Sequence, residues 1–289
     1  MSNCLFAWPD RVLPTSTITP TFTGGSWTLP LTNLQDPALG TVARSTNALT
    51  SSTTFDIDLG ATRELRVFAI PDHNMSSAAT IRVIAATDAS FASWVADSGP
   101  QSVWPRYYPA GSLPATHESY ADGKLTAEAR SGLRSGWWYA LTSTVQARYV
   151  RVMISDASNP SGYVQINRFI CAPAWQPALN MSMGAQSVWV ANTDQIQTLG
   201  GATWFDRRTP RRSQQVTLEA LTTNQVMTWA WEMQRILGID GELFFVFDPD
   251  DTDLLLKQRS FLANVRQLSA IEYPYYNACK TALELIEKL

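Results

Sequence analysis

The sequence predicts a mainly β protein with two domains, residues 1–175 and 176–289, and one α-helix at 222–237. Apolar and polar residues alternate with a period of two in many segments, such as 149–154, and this is the period of a strand with one buried face. Helical spacing of apolar residues together with helix-end signals is found at 222–237. With 289 residues and 45 % hydrophobic residues, the chain is long enough for two hydrophobic cores.

Three short motifs in the first domain carry the period-two pattern. They are FDIDLG at 55–60, ARYVRVMI at 147–154 and VQINRFI at 164–170. In this order they resemble the discoidin-like, galactose-binding-type β-sandwich, which is the C-type domain of coagulation factors. The resemblance implies an N-terminal jelly-roll β-sandwich.

The same pattern predicts individual strands of this sandwich. We expect Gly60 to turn the chain between strands at 55–59 and 65–71. A continuous strand is expected at 164–169. The tryptophans at 137 and 138 begin another strand, with one ring pointing inward and the other outward by alternation, and we expect these rings to serve in packing.

Composition excludes several classes of function. The net charge of −3 gives no basic surface for nucleic acid. Cys4, Cys171 and Cys279 match neither a zinc motif nor a disulfide framework, so we expect three buried free thiols. The N-terminal residues do not resemble a signal peptide, and no stretch approaches about 18 apolar residues, so we expect no membrane span.

Two segments of the first domain are candidates for contact with a glycan. One is a polar loop that could hydrogen-bond sugar hydroxyls or simply satisfy its own backbone. The other has aromatic rings that could stack on a pyranose, or could pack at the sandwich edge or against a neighbouring subunit. The candidate residues are Asp72, His73 and Asn74 in the first segment, and Trp104, Arg106, Tyr107 and Tyr108 in the second.

Asp36 lies in a loop that the resemblance places across one end of the sandwich. Some members of that family hold calcium with such a loop. Calcium requires six or more oxygen ligands, and an aspartate that forms a turn before Pro37 is the alternative. We predict no metal site and no cofactor, with calcium near Asp36 as the open alternative.

The second domain contains a basic cluster around Pro210 and an acidic turn near residue 250. Each could be a solvated turn, or the two could pair between neighbouring copies of the chain. The predicted interface residues are Arg207, Arg208, Arg211 and Arg212, together with Asp250, Asp251 and Asp253.

The predicted helix has signals at both ends. Thr222 and Gln225 form a capping box, and Gly238 can end the helix. The expected apolar face consists of Val226, Trp229, Ala230, Met233, Ile236 and Leu237. The closing residues YYNACKTALELIEKL fit either a strand or a helix by periodicity.

The order of strands, arginine-rich loop, helix and further strands is similar to the tube-like domain of tailed-bacteriophage tail and hub proteins, including distal tail proteins. The resemblance implies a β-barrel or sandwich with one helix, a closing strand, and assembly into rings. In this chain the tube-like domain follows the sandwich rather than preceding it.

These observations predict a structural component of a bacteriophage tail tip. We expect its partners to be copies of itself in a hexameric or trimeric ring, other phage tail proteins, and a host surface glycan. The alternative is a free-standing carbohydrate-binding protein. We expect no enzymatic activity, because the acidic residues show no recognisable pairing for glycoside hydrolysis and the two histidines belong to no triad.

Overall fold

The computed structural model describes residues 2–109, 111–130, 133–134 and 136–289. The chain folds as two compact units. The sandwich unit comprises Ala7–Ala174 and Pro249–Ser260, and the sheet unit comprises Met1–Phe6, Trp175–Asp248 and Phe261–Leu289. The first six residues therefore belong to the sheet unit, which is formed mainly by the second half of the chain. The segment 249–260 belongs to the sandwich unit, which is formed mainly by the first half.

The described residues are mainly β. The strands are β1 Leu5–Ala7, β2 Thr21–Thr23, β3 Trp27–Leu29, β4 Ala43–Ser45, β5 Phe55–Ile70, β6 Thr80–Ala86, β7 Trp94–Asp97, β8 Gln101–Ser102, β9 Trp137–Ser155, β10 Gln165–Ile166, β11 Ile170–Ala172, β12 Ala174–Trp175, β13 Gln186–Val190, β14 Asp194–Gln197, β15 Thr203–Asp206, β16 Arg211–Leu221, β17 Glu242–Val246, β18 Phe261–Gln267, β19 Ile271–Tyr275 and β20 Ala278–Glu287. Short helices occupy Leu31–Gln35, Thr50–Thr53, Ala127–Arg130 and Leu254–Lys257.

The sandwich unit contains two antiparallel sheets that share one hydrophobic core. The larger sheet has the order β11-β5-β9-β6-β7, with β2 also paired to β5 and β8 to β6, and the smaller has the order β10-β4-β3. The core includes Phe55, Val150 and Ile81 from the larger sheet and Ala43 and Ile166 from the smaller. Side chains from both sheets meet in this core, which makes the unit a β-sandwich.

Two of the sequence motifs pair with each other on the larger sheet. Asp56 of β5 lies opposite Arg151 of β9 and accepts two hydrogen bonds from its guanidinium at 2.7 and 2.8 Å. Asp58 accepts the same forked contact from Arg148 at 2.8 and 2.9 Å. These pairs are partly exposed, so they fix the register of the two strands more than they stabilise the fold.

The predicted turn at Gly60 is wrong. β5 is one strand of 16 residues that pairs with β9 on both sides of Gly60. Asp58 pairs with Tyr149 and Arg63 with Ala147, so residues 59–62 bulge opposite the single residue between those partners. Gly60 adopts a φ of 75°, which lets the chain bulge without reversing direction.

The predicted continuous strand at 164–169 is also wrong. Pairing stops after Ile166 and resumes at Ile170. The Asn167 side chain accepts hydrogen bonds from the backbone N–H groups of Asp72 and Arg168, at 3.0 and 2.7 Å. These local bonds compete with the strand ladder and interrupt it.

Both tryptophans at the start of β9 are buried, as expected for packed rings, and they lie on opposite faces of the strand. Trp137 belongs to the sandwich core. Trp138, on the opposite face, lies under Lys257, whose Nζ is 4.7 Å from the centre of the indole ring. The segment Pro249–Ser260 covers this face of the sheet and removes it from solvent.

The sheet unit is built on one sheet of the order β12-β1-β17-β18-β20-β16-β13, with β19 paired to β20. Within the described residues this sheet does not close into a barrel. The closing segment is a strand, as the tail-protein resemblance implied. In β20, Cys279, Thr281, Leu283 and Leu285 are buried in alternation with more exposed residues.

The predicted helix forms, but with a change of pitch. Its three parts are Thr223–Gln225, a π-helical turn at Val226–Trp231, and Glu232–Leu237. The Thr222–Gln225 capping box is present, and Gly238 ends the helix with a φ of 54°. The wider π turn rotates the residues that follow it, and Ile236, expected in the core, is 56 % exposed.

All three cysteines are buried free thiols, as expected. Burial raises the pKa of Cys4 to about 12 and that of Cys171 well above its ordinary value. In the part of the chain that the structure describes, no helix has the length and apolar character needed to cross a bilayer.

Candidate functional site

The polar loop between β5 and β6 lies against the segment that leads into β10. Asn74 joins them, because its Nδ2 donates to the Tyr163 carbonyl at 3.1 Å and its Oδ1 accepts from Gln165 N–H at 2.7 Å. This contact encloses a cleft of about 230 Å³. The cleft is lined by Leu39, Val42, Asp72, His73, Asn74, Gln165 and Asn167.

Asn167 is the most unusual residue of this cleft. Its side chain is buried and its Oδ1 accepts two backbone hydrogen bonds, but its Nδ2 has no hydrogen-bond partner among the described residues. A buried donor without a partner is costly. An oxygen of a bound ligand could accept from this amide. Sequence reasoning missed Asn167, because it assigned the residue to the face of a continuous strand.

His73 packs into the wall of the cleft. Its ring meets that of Trp104 edge to face at 5.9 Å, and its Nδ1 accepts from Met75 N–H at 3.2 Å. Burial lowers the pKa of His73 to about 3. The imidazole is therefore neutral near pH 7 and is suited to packing and hydrogen bonding rather than to proton transfer.

The aromatic segment supplies mostly packed rings. Trp104 is buried, its Nε1 donates to the Met75 carbonyl at 2.9 Å, and the Arg130 guanidinium covers the ring at 5.3 Å. The ring has no free face for a sugar. Tyr107 and Tyr108 are half-buried and meet edge to face at 5.1 Å.

Arg106 has an exposed side chain, and its carbonyl accepts from Leu254 N–H at 2.7 Å. The structure thus joins the two predicted segments through the His73–Trp104 contact, and Asp72, His73 and Asn74 line the cleft together. Whether any of these residues binds a glycan stays a prediction.

Two of the four basic residues around Pro210 have ion-pair partners within the sheet unit. Arg208 lies 2.8 Å from Asp194 and 3.1 Å from Asp206. Arg212 pairs with Glu287 and lies over Phe261 at 5.0 Å. Arg211 contributes to a surface cleft of about 440 Å³, and Arg207 is exposed.

The acidic turn belongs to the sandwich unit. Asp251 is buried and accepts two hydrogen bonds from Arg259 at 2.7 and 2.8 Å. Asp250 is exposed and Asp253 is half-buried. The predicted pairing of the basic and acidic clusters between copies stays a prediction.

Asp36 forms a turn in this structure. Its Oδ1 accepts from Ala38 N–H at 2.9 Å and its Oδ2 accepts from the Thr41 hydroxyl at 2.8 Å. Among the described residues, no group of three or more His, Cys, Asp or Glu side chains is placed to hold a metal ion. Asp36 thus forms the turn predicted as the alternative to a calcium ligand, and calcium near Asp36 stays a prediction.

Strands β14 and β15 form a two-stranded sheet with exposed side chains, which we call the exposed hairpin. Ile196 lies directly opposite Trp204, and both are exposed, as is Phe205. Trp204 has 69 % of its surface open to solvent. The sequence signal was the adjacent pair Trp204–Phe205, because neighbouring residues of a strand point to opposite faces and a two-stranded ribbon cannot bury both.

No family model and no curated protein matches the sequence. Similar solved structures include the module CBM32-1 from a family 31 glycoside hydrolase of Clostridium perfringens, with 10 % identity and a TM-score of 0.36 over 57 % of this chain and 99 % of that chain. The family 32 carbohydrate-binding module of C. perfringens NanJ, in complex with galactose, aligns with 14 % identity and a TM-score of 0.34 over 58 % of this chain and 98 % of that chain.

A Streptococcus pneumoniae fucose-binding module aligns with 12 % identity and a TM-score of 0.34, over 57 % of this chain and 94 % of that chain. At such low identities and TM-scores these alignments identify neither a family nor a ligand for this chain.

Proposed function

We propose that this chain is a structural protein of a bacteriophage tail tip and that its sheet unit joins copies of itself into a ring. The observation that carries the proposal is the exposed hairpin of β14 and β15. The resemblance of the second half of the sequence to tail-tube domains supports the assignment to a tail tip.

The exposed hairpin requires a partner on physical grounds. A two-stranded hairpin is marginally stable by itself in water. This one exposes Ile196, Trp204 and Phe205, whose large apolar side chains are costly to leave in solvent. Aromatic side chains of this kind are enriched among the residues that dominate binding energy at interfaces.

Charged residues lie at one end of the hairpin, beside its apolar part. Arg208 bridges Asp194 of β14 and Asp206 of β15, and all three are exposed. Polar residues next to an apolar surface are usual at the edge of a protein interface. Exposed ion pairs contribute little stability by themselves, so the aromatic residues would provide most of the affinity.

A second feature favours association between copies. β13 is the last strand of its sheet, so one edge of its backbone has no neighbouring strand among the described residues. Val188 and Trp189 on this strand are exposed. Open strand edges pair readily with other strands. Repeated use of one such contact between identical copies generates a ring when the rotation closes.

Sedimentation velocity of the full chain at about 20 µM, a concentration suited to weak interfaces, tests the proposal. We expect a closed oligomer for the wild type and a shift to monomer for the double variant Trp204→Ser/Phe205→Ser. Trp94→Ser is the matched control, because Trp94 is a similarly exposed strand residue of the sandwich unit. A monomeric wild type, or a double variant of unchanged size, would contradict self-assembly.

A second function, glycan contact by the sandwich unit, is favoured by Asn167. Asn167 lines the cleft together with the predicted residues Asp72, His73 and Asn74, and its buried Nδ2 has no hydrogen-bond partner among the described residues. A sugar hydroxyl could accept from this amide. The same contact would serve a tail-tip protein that recognises a host surface glycan and the alternative, a free-standing carbohydrate-binding protein.

Titration with methyl galactoside, followed by amide chemical shifts, tests this function. Asn167→Asp keeps the acceptor oxygen and removes the donor, so we expect it to abolish binding. Asn47→Asp is the matched control, because Asn47 also accepts a backbone hydrogen bond through Oδ1, from Leu49 N–H at 2.9 Å. Binding by a protein that remains monomeric would favour the free-standing alternative.

A further inference from the structure

Three tyrosines are exposed together at the tip of the β19–β20 hairpin. Tyr273 and Tyr275 belong to β19, which pairs only with β20 in the described sheet, and Tyr276 lies in the turn. Tyr276 is fully exposed, at 103 % of its reference area. These residues lie outside the surfaces on which the proposed function depends.

The turn that carries these rings is held in place. Tyr275 pairs with Ala278, so Tyr276 and Asn277 alone form the turn. Asn277 has a φ of 56°, a conformation that asparagine tolerates better than most residues. Its Oδ1 accepts from the backbone N–H of Thr223 at 3.2 Å, which connects the turn to the first residue of the helix.

The tyrosines line a groove of ligand size. An open groove of about 830 Å³ is lined by Thr223, Tyr273, Tyr275, Tyr276 and Asn277. Small-molecule sites usually measure roughly 300–1,000 Å³. The Tyr273 hydroxyl also lies 3.9 Å from the Met227 sulfur, which fixes this side of the groove to the helix.

The chemistry of the lining is polar and uncharged. It offers phenol and alcohol hydroxyls, one amide and three aromatic rings, and no carboxylate, amine or guanidinium contributes to it among the described residues. The nearby charged groups Lys280 and Glu219 pair with each other at 3.3 Å. The groove therefore lacks the cations that phosphate or an acidic peptide would require.

We propose that this groove binds an uncharged oligosaccharide. Tyrosine has an apolar ring and a polar tip, so the rings can cover the C–H faces of pyranoses while their hydroxyls and the Asn277 amide bind sugar hydroxyls. Four hydroxyls and one amide stand beside the three aromatic rings of the lining. That balance favours a sugar over a proline-rich peptide, which presents few hydroxyl partners.

Isothermal titration of the full chain tests the groove with maltopentaose, cellopentaose and xylopentaose as uncharged probes. Trigalacturonate serves as a charged probe and decaproline as a peptide. We expect at least one uncharged probe to bind in the millimolar range, on the order of 1 mM, and both Tyr275→Ala and Tyr276→Ala to weaken binding by about tenfold or more. Tyr275→Phe should lose less, because it keeps the ring.

Tyr120→Ala is the matched control, since Tyr120 is an exposed tyrosine of the sandwich unit. It should leave binding unchanged, and circular dichroism should show that all variants are folded. The proposal would be overturned if no uncharged probe bound at about 10 mM. It would also be overturned if the Tyr275→Ala and Tyr276→Ala variants bound sugar as tightly as the wild type, or if the protein preferred decaproline. Dissociation of an oligomer by these variants with no change in sugar binding would overturn it as well.

Discussion

Arg168 and Asp10 form a buried ion pair in the sandwich unit. Arg168 Nη2 lies 3.0 Å from Asp10 Oδ2, and the two side chains are only 1 % and 8 % exposed. The other carboxylate oxygen accepts from the backbone N–H groups of Val12 and Cys171, at 3.0 and 3.1 Å. Burial raises the pKa of the Asp10 carboxyl, although Arg168 acts in the opposite direction. The pair thus connects the N-terminal segment to β11 at the cost of desolvating two charges.

We expect removal of either partner to be strongly destabilising. Arg168→Met should lower the free energy of unfolding by about 3–5 kcal/mol, because it leaves a buried carboxylate without its cation. Asp10→Asn should have a comparable effect. The double variant should lose less than the sum of the two, since it removes both charges. Urea denaturation of the four proteins measures these differences, and strict additivity would show that the two groups are not coupled.

The acid stability of the sandwich unit should depend on His73. Its pKa is about 3 in the folded protein and about 6.5 in an unfolded chain. Between these values the unfolded chain binds a proton that the folded protein does not. Stability from this group is therefore present above pH 6.5 and is lost as the pH falls towards 3, by up to about 5 kcal/mol.

His73→Asn tests this dependence. Asparagine can still accept from Met75 N–H but does not titrate, so the stability difference between wild type and variant should shrink as the pH falls from 6.5. His117→Asn is a close control, because His117 Nδ1 also accepts a backbone N–H two residues ahead, from Ser119 at 3.1 Å. Equal pH dependence of the wild type and His73→Asn would contradict the prediction.

Lys257 should produce a dependence at high pH. Burial lowers its pKa to about 8 from an ordinary value of 10.5. Between pH 8 and 10.5 the unfolded chain holds the extra proton, so the stability contributed by this group rises with pH across that window, by about 2–3 kcal/mol. Lys257→Met should remove this rise and should not destabilise the protein at pH 7, since it keeps an apolar chain against Trp138. Urea midpoints from pH 7 to 10 measure the effect, with Lys280→Met as an exposed-lysine control.

The π turn changes which helix residues stabilise the sheet unit. Met233→Ala should cost about 2–5 kcal/mol, because Met233 is fully buried. Ile236→Ala should change stability by less than about 0.5 kcal/mol, because Ile236 is exposed. Comparable losses for the two variants would contradict the burial that the structure gives these side chains.

Much of the fold could be predicted from local pattern. Alternation in 55–59, 147–154 and the closing segment predicted strands that form, because a half-buried strand imposes a period of two on its sequence. The capping box at Thr222 formed because its two hydrogen bonds involve residues only three apart. The aspartates of β5 and the arginines of β9 belong to two separate motifs in the sequence. Only the strand pairing in the structure showed that these residues contact each other.

Other features depended on residues distant in sequence. The cover over Trp138 comes from residue 257, and the sequence around Trp138 contains no sign of it. The break after Ile166 depends on Asn167 bonding Asp72, which lies 95 residues away. The same bond places Asn167 beside the loop 72–74 as a lining residue of the cleft, so the cleft could not be predicted from that loop alone.

By itself, the sequence determined the mainly β class, the positions of most strands, the ends of the helix and the free cysteines, because each depends on interactions between residues near in sequence or on composition. The tertiary structure decided which strands continue through a glycine, which tryptophans are covered, and where aromatic side chains stay exposed. Burial is a property of neighbours in space, and those neighbours are set by the packing of the whole chain.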